Sequence, residues 1–272
     1  MIILNLHTWD IHNHEQNKVM LDYICSKIAS RFNLYDLNGR PRRATIIEII
    51  ARSPCLTCIV EKLSKKTVGS EIDSFYKECH KFAVNILVEE LFYLLTRMGY
   101  KIAISTERDL GYGKADILVN LRNYGLSLKN ATKELIIEVK TGNSLSLSQI
   151  FRYLLDSKCN TIIVWRIRRR QVLTFDAQEL RPLLEKFTKM LCLRGLRLLA
   201  TEHFQPCNHV KNVTGQRIVK QSKQEALEAM FRDFSKALTE TLPSVLQIIL
   251  EKLEMAKAHS SKEIRSYEEE GI

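Results

Sequence analysis

Two apolar stretches decide the fold: residues 114–120 (KADILVN) and 134–141 (ELIIEVKT). Each is short and rich in β-branched residues, which predicts a strand. Side chains alternate along a strand, so Asp116 lies on one face of the first strand, and Glu138 and Lys140 share one face of the second. An antiparallel hairpin between them sets Asp116 opposite Glu138. We therefore expect two carboxylates and an ammonium group at the end of an apolar sheet, which is costly unless a cation binds there.

The flanking sequence predicts helices and strands in the order of an α/β sandwich. An apolar helical stripe precedes the first strand, a glycine-containing loop precedes Asp116, and a helix follows Lys140. The predicted segments are helix 82–98, within a Gly- and Pro-free stretch 70–98 that forms one helix or two, strand 101–105, loop 111–113, strands 115–121 and 133–141, helix 146–157, strands 160–167 and 171–175, and helices 177–193 and 223–259. Pro243 predicts a kink or a break in the last helix.

Asp116, a gap of 21 residues and then Glu138-x-Lys140 form an ordered set. This set resembles the core of the PD-(D/E)xK, or restriction-endonuclease-like, nuclease superfamily. Ala115 stands where that family often has proline. The resemblance covers about residues 82–175. It implies an α/β fold with a restriction-endonuclease-like mixed sheet flanked by helices, to which the rest of the chain adds helical N- and C-terminal segments.

The resemblance also implies the roles of the core residues. Asp116 and Glu138 would bind a divalent metal ion, Mg²⁺ or Mn²⁺, and the Val139 carbonyl would be a third ligand. Lys140 would orient or help deprotonate the attacking water and stabilise developing charge on the phosphate. The alternative is a Glu-Lys patch on the surface of a sheet, which is a common arrangement.

Other family features have counterparts on the predicted helices. The family often adds a glutamate from the helix before the first strand, and of Glu89 and Glu90 the first lies beside the buried face; alternatively both are solvated. Gln149 and Tyr153 share a helix face and resemble the Gln-x-x-x-Tyr motif of RecB-type nucleases, which implies contact with nucleic acid. The alternative is a solvent amide and a half-buried aromatic ring.

The charge of the chain favours a polyanionic partner. It carries 41 Lys and Arg against 31 Asp and Glu, a net charge of +10, and nucleic acid is the commonest partner for such an excess. The densest basic cluster follows a predicted strand and consists of Arg166, Arg168, Arg169 and Arg170. It would be a phosphate track or a solvated sheet edge.

Three regions are predicted along the chain. Residues 1–69 form a helical region that resembles a helix-turn-helix or winged-helix module, residues 70–180 the nuclease core, and residues 181–272 a helical C-terminal region. The helix after Gly69 would dock on DNA, or these helices would form a bundle packed on the core.

The function expected from this reading is that of an enzyme, a Mg²⁺-dependent deoxyribonuclease. One alternative is a DNA-binding helix-turn-helix regulator with an inactive core, and another is a Holliday-junction resolvase, which would be a homodimer. No membrane-spanning segment or signal peptide is expected. The seven irregularly spaced cysteines do not suggest a disulfide framework. A cytoplasmic protein is therefore expected.

Overall fold

A five-stranded mixed sheet forms the centre of the fold in the computed structural model. The structure describes residues 14–64, 71–100, 102–121, 133–142, 145–156, 159, 161–201 and 223–269. The strands are hydrogen-bonded to one another in chain order: β1 (Ile102–Asp109), β2 (Lys114–Leu121), β3 (Lys133–Lys140), β4 (Thr161–Arg166) and β5 (Gln171–Asp176). The chain is therefore an α/β protein, as the sequence predicts.

The pairing of β2 with β3 is antiparallel and has the predicted register. Ile117 lies opposite Ile137, and the same register carried one residue further sets Asp116 against Glu138. Residues 122–132, which join the two strands, are outside the described part of the chain. The other pairs are antiparallel except β3 with β4, which is parallel. A parallel pair needs a crossover connection, and here a helix supplies it.

Seven α-helices lie within the described residues: α1 (His14–Phe32), α2 (Arg43–Arg52), α3 (Leu56–Ser64), α4 (Glu71–Arg97), α5 (Leu147–Asp156), α6 (Ala177–Ala200) and α7 (Lys223–Glu269). On one face of the sheet, α4 and α7 bury the β2 and β3 side chains that point away from the Asp116 face, such as Ile117 and Ile137. On the other face, α5 packs against Leu118 and Ile136. The two strands that carry Asp116, Glu138 and Lys140 are therefore covered on both faces by helices.

Several helices and strands begin or end at residues other than those predicted. The stretch before β1 is one long helix, α4, and α7 is assigned as a single helix through Pro243. β1 continues to Asp109, well past the predicted end at residue 105, because its charged second half is held by pairing with β2. Phe82 and Met98, at the two ends of the predicted helix 82–98, are both exposed.

The helices of the predicted helix-turn-helix are packed on the rest of the molecule. α1, α2, α3, α5 and α6 share one apolar core, which includes Ile46, Ile59 and Phe151. The helix that would dock on DNA, α4, buries Ala83 and Leu87 against the sheet. The packing thus crosses the predicted boundaries at 69 and 180. No helix in the described segments is both long and apolar enough to span a membrane.

Candidate active site

Asp116 lies where the β2–β3 ladder opens. The described pairing ends at Ile117 and Ile137, and beyond it the Val139 backbone N–H donates to Asp116 Oδ2 at 2.8 Å. On the other side, Asp116 faces Glu107 of β1, whose φ of 52° is in the left-handed region and interrupts the pairing. This region is unfavourable for a residue with a side chain and is found often at functional sites. The Asp116 side chain is 16% exposed, so it is reachable from solvent.

His80 of α4 is the second residue at this point. Its Nε2 lies 3.1 Å from Asp116 Oδ1, and the imidazole is partly buried. The hydrogen bond to Asp116 raises the pKa of His80, and the Asp116 and Glu138 charges add to the effect, against the opposing effect of burial. A protonated imidazole at this place balances the charge of the Asp116 carboxylate.

Glu138 is a buried carboxylate with three side-chain donors. The residue is 1% exposed, and its oxygens accept from Lys140 Nζ at 2.5 Å, Gln149 Nε2 at 2.6 Å and Tyr153 Oη at 2.5 Å. Burial raises the pKa of Glu138, the nearby Asp116 carboxylate raises it further, and the Lys140 and Tyr153 hydrogen bonds act in the opposite direction. A cation placed between the two carboxylates would remove this repulsion.

Helix α5 delivers Gln149 and Tyr153 to the same carboxylate. Gln149 accepts from Lys140 Nζ at 2.6 Å and donates to the Tyr153 hydroxyl at 2.7 Å, so it joins both partners of Glu138. The Tyr153 hydroxyl is also 2.9 Å from the Lys114 carbonyl oxygen. Burial and the Glu138 charge raise the pKa of Tyr153 far above its usual range, so the phenol stays protonated and can donate.

A glycine makes room for the Tyr153 ring. A Cβ added to Gly113 would lie 2.9 Å from Tyr153 Cε1. Gly113 belongs to the tight β1–β2 turn, in which Leu110 N–H donates to the Gly113 carbonyl at 2.8 Å. The ring of Tyr112 in this turn is buried among the α1 and α2 side chains. The turn therefore holds the start of β2 against both α5 and the N-terminal helices.

The structure brings Asp116, Glu138, Lys140, Gln149 and Tyr153 together at one end of the sheet. The Val139 side chain is buried on the α4 and α7 face, and the Val139 N–H joins the cluster through Asp116.

The structure does not bring Glu89 to the cluster. Glu89 is exposed on α4, nine residues beyond His80. That spacing is about 14 Å along a helix and half a turn around it. The residue of α4 that contacts Asp116 is His80.

The predicted arginine cluster divides into two parts. Arg166 pairs with Lys140 across the parallel strands, so the two cations lie side by side at the same sheet end. Its Nη1 also donates to Gln171 Oε1 at 3.0 Å. Arg169 is exposed in the short 3₁₀ turn after β4.

The other two arginines are bound to helices of the fold. Arg168 donates to the Tyr76 hydroxyl at 2.8 Å and lies 3.8 Å from Asp233. Arg170 lies 2.6 Å from a carboxylate oxygen of Glu240 and 3.6 Å from Asp233. Part of the charge that the sequence assigned to a phosphate track is thus directed towards α4 and α7.

The residues at the sheet end include the two carboxylates expected to bind a metal ion, Asp116 and Glu138. No group of three or more His, Cys, Asp and Glu side chains within the described ranges is arranged to hold an ion, and the Glu138 oxygens face Lys140, Gln149 and Tyr153. The chemistry of two of these side chains nevertheless fits a divalent cation, because Asp116 and Glu138 are carboxylates that repel each other.

Comparison with known proteins adds no assignment. No protein-family model matches the sequence, and no solved structure matches the fold significantly. The site is therefore described from its own residues alone.

Proposed function

We propose that this chain is a metal-dependent nuclease that hydrolyses phosphodiester bonds in DNA, with a restriction-endonuclease-like core. The observation that carries the proposal is the convergence of Asp116, Glu138, Lys140, Gln149 and Tyr153 at one end of the sheet. Fold stability gives little reason to bury such a group, because a buried charged network is often no more stable than apolar packing. A buried carboxylate with a shifted pKa and a defined charge partner is typical of a functional site.

Asp116 and Glu138 would hold the metal ion, and His80 would keep the Asp116 carboxylate in place through their 3.1 Å hydrogen bond. The two carboxylates provide the oxygen donors that Mg²⁺ and Mn²⁺ take in proteins. When bound, the ion supplies charge neutralisation at the phosphate and activation of the attacking water.

Lys140 is placed to act on the phosphate. Its ammonium group has three N–H donors, and among the described residues Glu138 and Gln149 account for two of them. The side chain is 21% exposed, so the third donor can reach a phosphate oxygen or the attacking water. In either case Lys140 stabilises negative charge as it develops in the transition state.

Gln149 and Tyr153 keep Glu138 and Lys140 in place. The amide of Gln149 contacts both of these side chains, and the Tyr153 hydroxyl holds the second oxygen of Glu138. This fixes the direction of the carboxylate before substrate binds, which is the arrangement that makes an electrostatic site effective. We therefore assign both residues to the support of Glu138 and Lys140 rather than to contact with a base.

The distribution of positive charge supports nucleic acid as the substrate. The chain carries a net charge of +10, and Arg166 lies beside Lys140 at the sheet end. Phosphate contacts from such residues supply most of the sequence-independent affinity for nucleic acid.

A substrate panel tests the proposal. Purified protein is incubated with linear, circular and branched DNA and with RNA of the same sequence, in Mg²⁺, in Mn²⁺ and in EDTA. We expect cleavage of DNA with metal and none with EDTA. Lys140→Ala should cut at least 100-fold more slowly than wild type, as expected for loss of a transition-state contact. Preference for branched DNA would favour the resolvase alternative, and specific binding without cleavage under any metal would favour the regulator.

A further inference from the structure

A polar cluster centred on Glu48 joins α2 to the helix that carries Gln149 and Tyr153. The Glu48 carboxylate accepts from Ser146 Oγ at 3.0 Å and from Ser148 Oγ at 2.6 Å, and it lies 3.1 Å from Arg152 Nη2. These three partners belong to α5 or to the residue just before it. A fourth partner, Arg52, lies one turn along α2 itself at 3.1 Å and does not reach α5.

Arg152 makes the connection rigid. The residue is 8% exposed, and its guanidinium donates to the Ala44 carbonyl of α2 at 2.9 Å and to the Ser148 carbonyl at 3.3 Å. A buried cation that loses its counter-ion is strongly unfavourable. The Glu48–Arg152 pair therefore fixes where α5 sits on α2.

The Glu48 carboxylate also lies at the N-terminal end of α5. Backbone N–H groups in the first turn of a helix favour a negative charge nearby. The Ser146 carbonyl accepts from the Gln149 and Ile150 N–H groups here, so the segment that Glu48 holds is the first turn of the helix, which carries Gln149.

The two faces of α5 are coupled by the geometry of the helix. Ser148 and Arg152 face Glu48, and each is followed directly by the residue that faces the candidate active site, Gln149 or Tyr153. Successive residues of an α-helix are about 100° apart around the axis. Any rotation of α5 that releases Glu48 therefore also moves the Gln149 amide and the Tyr153 hydroxyl from Glu138.

We propose that Glu48 is a positioning residue for the active site, acting through α5 on Gln149 and Tyr153. This inference rests on the proposed nuclease function. It makes the N-terminal helices a part of the catalytic unit, because α2 holds the helix that holds Glu138. A detachable DNA-docking module would have no such connection.

The test compares Glu48→Gln with a control, Arg52→Ala, that removes the partner of Glu48 belonging to α2. Turnover and KM for labelled DNA are measured for both at a temperature where circular dichroism shows folded protein. We expect kcat to fall at least tenfold in Glu48→Gln with KM changed less than threefold, and the control to match wild type. If Glu48→Gln does not fold, Ser148→Ala, which removes the 2.6 Å hydrogen bond, takes its place.

A double-variant cycle separates positioning from general destabilisation. If Glu48 acts through Tyr153, then Glu48→Gln should cost much less in a Tyr153→Phe background than in wild type. Equal losses in both backgrounds, or a kcat of Glu48→Gln equal to that of Arg52→Ala, would overturn the proposal.

Hydrogen exchange of the α5 amides tests the inference without measuring DNA cleavage. Exchange of α5 in Glu48→Gln should be at least tenfold faster than in Arg52→Ala, and equal exchange would contradict the inference. If wild type cleaves no DNA, the proposed function fails, whereas this exchange still decides whether Glu48 fixes the helix.

Discussion

Gly113→Ala should damage the active site from outside it. The added Cβ would lie 2.9 Å from Tyr153 Cε1 and 3.1 Å from Cδ1. Non-bonded carbon atoms normally approach to about 3.5–4.0 Å, so the ring has to move by roughly 0.5–1 Å. Tyr153 is fully buried, and overpacking of this kind typically costs about 1–3 kcal/mol of stability.

Displacement of the Tyr153 ring should also lower the rate of cleavage. The Tyr153 hydroxyl bonds to Glu138 at 2.5 Å and to Gln149 at 2.7 Å, and both bonds depend on the ring position. A misplacement of about 1 Å can cost on the order of 100-fold in rate. We therefore expect the single-turnover cleavage rate of Gly113→Ala to fall about 10- to 100-fold.

Gly142→Ala is the matched control. Gly142 is two residues after Lys140, and among the described residues a Cβ there would meet nothing within 4 Å. Gly142→Ala should change the free energy of unfolding by no more than about 0.5–1 kcal/mol. Any increase would come from the lower conformational entropy of the unfolded chain when glycine is replaced by alanine. Urea unfolding and cleavage are measured for both variants. If Gly113→Ala matches Gly142→Ala in both assays, the packing argument for Tyr153 is wrong.

Three further predictions follow from individual contacts. Glu89→Gln should leave the cleavage rate within twofold of wild type, because Glu89 is exposed and far from the cluster; a large loss would restore Glu89 as a metal ligand. Burial opposes ionisation of Glu48, but its hydrogen bonds and the nearby charges together lower its pKa. The ionised Glu48 carboxylate therefore stabilises the fold at pH values above its unfolded pKa of about 4.3, and this stabilisation is lost as the pH falls below that value. Urea unfolding should therefore show a gap between wild type and Glu48→Gln that is full near pH 7 and shrinks below about pH 4; a constant gap would contradict this. Arg166→Gln should reduce the slope of log affinity for DNA against log salt by about one unit, whereas Arg170→Gln, whose guanidinium faces Glu240, should change it less.

The β2–β3 pairing could be predicted because two local signals agree. Each strand contains a short apolar run, 117–119 in one and 135–137 in the other, and the parity of Asp116 against Glu138 and Lys140 is fixed by the two-residue period of a strand. A register shifted by one residue would have turned Glu138 into the apolar face. The shared position of Gln149 and Tyr153 could also be predicted, because residues four apart lie on one face of a helix.

The lengths of α4 and β1 explain why His80, and not Glu89, lies next to Asp116. From Ile102 to the residue opposite Asp116, β1 advances five residues, or about 17 Å. A helix returning over that distance at 1.5 Å per residue needs at least about 11 residues. Glu89 is only eight residues before the end of α4 at Arg97, so a residue earlier in the helix has to reach Asp116.

Contacts between distant segments could not be read from spacing. Glu48 meets Ser146 and Ser148 across separations of 98 and 100 residues, and no periodicity links the two segments. The pairing of Arg170 with Glu240 likewise depends on how α7 packs against the sheet. Such contacts are decided by tertiary packing, so the contacts of the N-terminal helices and of half the arginine cluster could not be predicted from the sequence.

Metal-dependent cleavage by a matched pair of variants tests the central claim most directly. A labelled DNA duplex is incubated with wild type, Glu138→Gln and Glu89→Gln, each in Mn²⁺ and in EDTA. The account predicts cleavage by wild type and Glu89→Gln in Mn²⁺, none in EDTA, and a loss of at least 100-fold in Glu138→Gln. Cleavage by Glu138→Gln at the wild-type rate would contradict the assignment of the site, and no cleavage by wild type under any divalent metal would contradict the function.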